Sequence, residues 1–280
     1  MNGVLLVEKP TGFTSFDCVE KIKDVFEDKT KVGHAGNLDK FSSGILPIMI
    51  GKATKLFKVL IKSKRTYLGE FKLGVDTDTG DINGKVITSD KKENITKDEI
   101  VNAFTIFEGG YLQKDHYKKQ DGDSQNAEKE EFVELYNIDI LNIEQNAVIF
   151  YIEIGEKFDI KSYLKDVSSQ LNTVGRLNSL KRIKFGEFQL KNAINLMDIK
   201  NIKDIKNNLI GIKKATSNMS TIKVNEDVKK RVLNGNKLKL EMFEEFYGFT
   251  RILSRSEKVL AIGKVENGKF DYISVLGEVV

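Results

Sequence analysis

Two residues able to do chemistry, His34 and Asp39, lie close together in the glycine-punctuated stretch VGHAGNLDKFSSGILPI, residues 32–48, just ahead of an apolar run. Either this is a turn that happens to carry an acid, or it is a loop built to hold a carboxylate against something. Taken singly, Asp39 is an ordinary turn aspartate, His34 a solvent or packing histidine, and Tyr67 a strand tyrosine with its ring in the core. Other chemistries fail on spacing. Gly51-Lys52 ends a glycine-containing stretch, but a phosphate-binding P-loop needs glycine where Leu46 stands and Ser or Thr where Ala53 stands. The acidic run DTDTGDINGK, begun at Asp76 in a calcium-loop register, puts Asp81 at the glycine position and Ile87 where a bidentate glutamate is required. With only His34 and His116 in the chain, a histidine-rich metal site is excluded, and a Ser-His-Asp triad would have to use one of the two.

The elements that must position these residues come from a 280-residue chain, 40% hydrophobic, long enough for one large domain or a large domain plus a small one. The single cysteine, Cys18, rules out an internal disulfide framework and reads as a packed small residue. The opening MNGVLLVEKP has too short an apolar run for a signal segment or a spanning helix, so the expectation is a cytoplasmic protein with no membrane association. Net charge is only +4, but it is unevenly spread. GKATKLFKVLIKSKR, residues 51–65, carries no acid and reads as an amphipathic helix with one basic side. Together with the basic segments 176–184 and 199–214 it could form a track for nucleic acid, Lys55, Lys58, Lys62 and Arg182 being the candidate contacts.

Residues 4–7 read as a short buried strand, and TSFDCVEKIKDVF as a helix capped by Thr14 or Ser15 with Phe16, Val19, Ile22 and Val25 on its apolar face. TYLGEFKLGV alternates as a strand, residues 97–107 look helical, and a further helix is expected from Ile160 to Leu171. Residues 113–131 are almost devoid of apolar side chains and read as an exposed insertion. Strands and helices without a regular βαβ rhythm argue for an α+β fold. From Thr221 onward short strand-like runs separated by glycine turns suggest a small β-rich domain, giving expected bounds of 1–215 and 221–280. A chain cut near Ser220 is then expected to stay folded.

GHAGNLDKFSSGILPIMIGKATKL closely resembles the loop of the TruB family of tRNA pseudouridine synthases, GHxGxLDPxAxGxLPxxxGxATK. KPTGFTS is similar to its KPxGxTS, KRTYLGEFKLGVDTDTGDING to its KxYxxxxxLGxxTDTxDxxG, and LKRIKFGEF more weakly to its LRRTxxGxF. The resemblance implies a pseudouridine synthase fold with a mixed, mainly antiparallel sheet and a C-terminal PUA-like domain. It implies isomerisation of the T-loop uridine at tRNA position 55, with the target base flipped out of its stack. Carried over by position, Asp39 matches the catalytic aspartate, Tyr67 the tyrosine that stacks on the base, His34 the histidine that helps open the T loop, and Leu180 lies in the stretch lining the pocket. The implied partner is the T arm of tRNA, bound by a monomer with no metal and no small-molecule cofactor.

Three departures bear on activity. Lys40 follows the aspartate where the family has proline. The GTYIRS segment stands here as KFDIKS, so the aromatic is Asp159 and the arginine that pairs with the catalytic aspartate is Lys161. Of the tRNA-contacting PPxYSAxKxxGxxxYxxAR stretch, only Gln113 has a counterpart. These favour an alternative reading, a tRNA-binding or tRNA-folding protein of the same fold with weakened catalysis.

Overall fold

The computed structural model describes residues 1–90, 95–117, 130–238 and 243–279. The apolar run at the start is strand β1 (Gly3–Lys9), buried along nearly its whole length. It leads through the KPTG turn into α1 (Ser15–Lys23), where Thr14 and Asp17 form a reciprocal capping box. Cys18, Val19 and Ile22 are buried there, whereas Phe16, expected on the apolar face, is 63% exposed. β2 (Val32–His34) and β3 (Ser43–Ile50) bracket the loop that carries Asp39.

The basic stretch after β3 is not the continuous helix expected. A 3-10 segment, Gly51–Leu56, passes into a single helical turn, α2 (Phe57–Leu60), before β4 (Arg65–Leu73) begins. Ala53, Leu56, Val59 and Leu60 anchor this short passage in the core, and its lysines project on the outside. The chain continues through β5 (Val75–Thr77), β6 (Val86–Ser89), α3 (Lys97–Thr105), β7 (Gly109–Gln113), β8 (Glu131–Glu144), β9 (Ala147–Ile154), α4 (Ile160–Gln170) and β10 (Gly175–Phe185). Most of the expected insertion, residues 118–129, lies outside the described residues. Gln113, at its start, is buried rather than exposed. β11 (Phe188–Gln189), β12 (Ile194–Asn195), α5 (Ile202–Asn208), β13 (Leu209–Gly211) and α6 (Ile212–Ala215) bring the chain back to β1.

Among the described residues β5 and β6 pair only with each other, and the other strands make one eleven-stranded sheet whose main path runs β12-β1-β3-β10-β4-β9-β8-β7. Only the β1–β12 and β3–β10 pairs are parallel, so the sheet is mixed and mainly antiparallel. On one face α1, α3 and α4 pack against alternate residues such as Leu5, Leu46, Phe71 and Phe150. The fold is therefore α+β, with the longer helices on one side of the sheet and the single-turn helices α2 and α6 on the other.

β14 (Ser220–Val224), α7 (Glu226–Leu233), β15 (Gly248–Ser254), β16 (Val259–Glu266) and β17 (Lys269–Val279) build a second, four-stranded sheet in the order β14-β15-β16-β17. Ile222, Val232, Leu260 and Phe270 give it a core of its own. It also rests on the large sheet: Leu253, Val259, Ile262 and Leu276 share a hydrophobic cluster with Val4, Leu6, Ile45 and Met49. Among the described residues no helix is long and apolar enough to cross a membrane.

Candidate active site

The loop that carries Asp39 is fixed from beneath by groups buried in the fold. Ser15 Oγ, on α1, accepts from Leu38 N at 2.9 Å and donates to Leu38 O at 3.3 Å, and Gly12 N donates to Lys40 O at 2.7 Å. Lys9, at the end of β1, has no exposed surface and donates to Phe13 O and Ser42 O, each at 2.6 Å. The KPTGFTS stretch is thus the floor of the aspartate loop, and Gly12 N holding Lys40 O supplies a restraint at the position where the family has proline.

Above that floor the Asp39 side chain is 58% exposed and meets Lys161 Nζ at 3.2 Å. Lys161 lies in the first turn of α4, a helix whose N-cap is Asp159, its carboxylate accepting from Ser162 N at 2.7 Å. The aspartate that replaces the family's aromatic is therefore committed to starting the helix that delivers Lys161. Gln113 grips the same point, donating to Asp159 O at 3.0 Å and accepting from Asp159 N at 2.9 Å. Lys161 also bonds Asp81, a buried carboxylate of the DTDTGDINGK loop, and its ammonium sits 4.9 Å from the Phe41 ring centroid. Burial alone would lower the Lys161 pKa, but the Asp81 hydrogen bond and the charges of Asp39 and Asp81 outweigh it and raise the value, keeping the ammonium charged.

The acidic loop that suggested calcium is thus a holder of lysines. Asp81 takes Lys161, Asp76 takes Lys165 one helical turn on, and Asp78 accepts from the Lys85 backbone N–H. Sequence reasoning assigned none of these roles, although the match to TDTxDxxG marked the loop.

Tyr67 and Leu180 complete the cavity from neighbouring strands β4 and β10, both nearly buried. Asp39, Tyr67, Lys161 and Leu180 together line a depression of about 140 Å³. His34 belongs elsewhere. It lies in a separate, larger depression of about 660 Å³ with Lys23, Lys29, Lys31 and the exposed Phe57. Burial, then the Arg182 charge, lowers the His34 pKa, so its imidazole is neutral at neutral pH.

The basic candidates scatter. Lys58 and Lys62 are exposed, whereas Lys55 donates to Val275 O at 2.7 Å and so ties the 3-10 segment to the C-terminal sheet. Segment 176–184 is not a surface track. It is the interior strand β10, in which Lys181 pairs with Glu8 at 2.9 Å and Arg182 has no exposed surface. Arg182 therefore cannot contact RNA directly, because a guanidinium with all its area buried presents nothing to a phosphate.

Residues 23–160 match the family described as TruB family pseudouridylate synthase, N-terminal domain. The tRNA pseudouridine synthase B of Caldicellulosiruptor saccharolyticus is 33% identical over 98% of both chains, and that of Clostridium acetobutylicum is 33% identical over 99% of this chain and all of the other. The chain belongs to the TruB family. The TruB fold is also seen in a crystal structure of a Cbf5-Nop10-Gar1 complex, which superposes with a TM-score of 0.78 at 20% identity over 99% of this chain and 85% of that one. The departures from the TruB pattern at Lys40, Asp159 and Lys161 all fall around Asp39, and in each case the side chain or its backbone neighbour makes a defined contact.

Proposed function

We propose that this chain is a tRNA pseudouridine synthase acting on the T-arm uridine at position 55, with Asp39 as nucleophile, Tyr67 as the platform for the base and Lys161 as the charge partner of Asp39. The observation that carries the reading is the convergence of Asp39, Tyr67, Lys161 and Leu180, from four separate elements, on one small cavity.

The chemistry follows from the residue types. The Asp39 carboxylate, open to the cavity mouth, attacks C1′ of the flipped nucleotide as the C1′–N1 bond breaks, leaving uracil as an anion. Tyr67 and Leu180 hold the detached ring while it turns to present C5 to C1′. The C5–C1′ bond then forms as the ester to Asp39 breaks, the C5 proton leaves, and N1 takes up a proton, so the product is an isomer of the substrate. Lys161 keeps the departing carboxylate charged and in place. Extracting the base costs on the order of a few kcal/mol, offset by stacking and polar contacts in the pocket.

His34, beside Lys23, Lys29 and Lys31, supplies a second surface for the T loop, and Lys58 and Lys62 lie outside the cavity as phosphate contacts. Residues 221–280 act as a PUA-like module that holds RNA away from the T loop. The enzyme works as a cytoplasmic monomer. A tRNA-folding protein with weakened catalysis is favoured by one observation, the single 3.2 Å contact through which Lys161 reaches Asp39 in place of an arginine fork. Asp39→Asn tests the nucleophile, since turnover is then abolished while tRNA affinity stays within several fold, and the turnover number of the parent protein separates an efficient synthase from the tRNA-folding alternative. Turnover of Asp39→Asn near the parent rate removes Asp39 from the chemistry.

A further inference from the structure

Arg182 is the largest fully buried side chain among the described residues, and no carboxylate there pairs with it. Its guanidinium sits instead in a cage of oxygens. Nε donates to Ile45 O at 2.8 Å, Nη1 to Asn37 O at 3.1 Å and to Tyr67 Oη at 3.4 Å, and Nη2 to Gly36 O at 3.2 Å. Three of these acceptors belong to the backbone on either side of Asp39, and the fourth is the phenol that faces the same cavity.

Two glycines let the aspartate loop close on the backbone of Arg182 and on the ring beside its guanidinium. Gly44 pairs with Arg182 across the β3–β10 junction at φ +110°, and a Cβ there would lie 2.2 Å from the Arg182 carbonyl oxygen. At Gly36, φ +74°, a Cβ would lie 3.4 Å from Arg182 Nη1 and 2.7 Å from the Phe185 ring. Both ends of the aspartate loop are thus closed down on one residue. A lysine has its donors on a single atom and cannot span acceptors spread around a planar fork.

The pairing with Tyr67 has a directional consequence. A guanidinium only donates, so the Tyr67 oxygen accepts from it, and the phenol's own hydrogen must turn away from Arg182. Resting on the reading of the site given above, we infer that Arg182 is a positioning residue for the reaction: it locks the Tyr67 oxygen and the Asp39 loop to each other and aims the phenol hydrogen at the cavity. It touches no RNA.

The experiment measures Arg182→Lys and Arg182→Gln in the full chain, each assayed by tritium release from C5-labelled tRNA at a temperature where circular dichroism shows it folded. The expected result is a kcat lowered by about tenfold or more, with KM and the salt dependence of binding within about twofold of the parent. The loss from Arg182→Lys should also be smaller in a Tyr67→Phe background than in the parent, because part of it acts through the missing oxygen. A folded variant with parental kcat overturns the inference, as does a rise in KM with a reduced salt slope at unchanged kcat, or full additivity with Tyr67→Phe. If neither substitution allows folding, Arg182 is a folding residue and the inference falls. Failure of the parent to release tritium is a different result and sinks the functional reading itself.

Discussion

Replacing Lys161 by methionine keeps most of the side-chain volume, removes the charge and strips two carboxylates of a partner at once. The two losses differ in kind because Asp39 has a side chain 58% exposed and Asp81 one only 6% exposed. At 3.2 Å the Asp39–Lys161 attraction lies between about 1 kcal/mol in a water-like medium and about 5 kcal/mol at an effective dielectric constant near 20. The exposure of Asp39 places it toward the lower end, roughly 1–3 kcal/mol, so turnover should fall between about fivefold and about 150-fold. Asp81, left buried and charged, should cost about 3–5 kcal/mol of folding stability. Adding Asp81→Asn removes that orphaned charge, so Lys161→Met/Asp81→Asn should recover much of the stability while turnover stays low. Thermal melts and tritium release on the single and double variants read the two effects separately. Lys161→Arg, which offers a fork to both carboxylates, should preserve or raise turnover. Parental turnover in Lys161→Met, or a double variant that regains activity together with stability, would refute the reasoning.

Other expectations follow from the same contacts. Lys58→Ala and Lys62→Ala should each lower the slope of log affinity against log salt by roughly one unit or somewhat less, whereas Lys55→Ala, whose ammonium is engaged with the Val275 carbonyl, should leave the slope unchanged. Because His34 in the folded chain has a pKa below its ordinary 6.5, the unfolded chain binds the proton more readily. Stability should therefore be lost as pH falls below about 6.5, and His34→Asn should flatten that part of a melting-temperature profile; parallel profiles would contradict it. The cluster joining Leu253, Ile262 and Leu276 to Val4, Leu6 and Met49 reverses the expectation for a chain cut after Ser220. It should melt lower or aggregate, and a truncated chain that melts like the parent would show that this shared core contributes little.

Local signals in the sequence carried far because they were locally determined. The capped start of α1, the alternation of Tyr67, Phe71 and Leu73 in β4 and the span of α4 all depend on near neighbours, and all stand where periodicity put them. Asp39, Tyr67, Lys161 and Leu180 were legible as a set only through the order of four motifs, since each type alone is commonplace. What was not legible depends on distant partners. A basic residue in β10 reads as a phosphate contact until the strand is seen to be interior, at which point Arg182 becomes a cage-bound cation. Asp81, Lys9 and Gln113 looked like a residue that spoils a calcium loop, a motif residue and the start of an insertion. Their actual partners lie 80, 33 and 46 residues away. The basic run 51–65 had helical periodicity, but it had to turn within a short span to reach β4, and tertiary geometry cut it into a 3-10 segment and one turn.

Isomerisation of one uridine in the T loop is the reaction proposed for this cavity. Pseudouridine has the mass of uridine, but its formation exchanges the hydrogen at C5, so tritium release from C5-labelled tRNA transcript follows the reaction directly. Release should approach one tritium per tRNA with the parent protein and fall to none when the transcript carries cytidine at position 55. No release from the uridine transcript, or undiminished release from the cytidine transcript labelled at its other uridines, would contradict it.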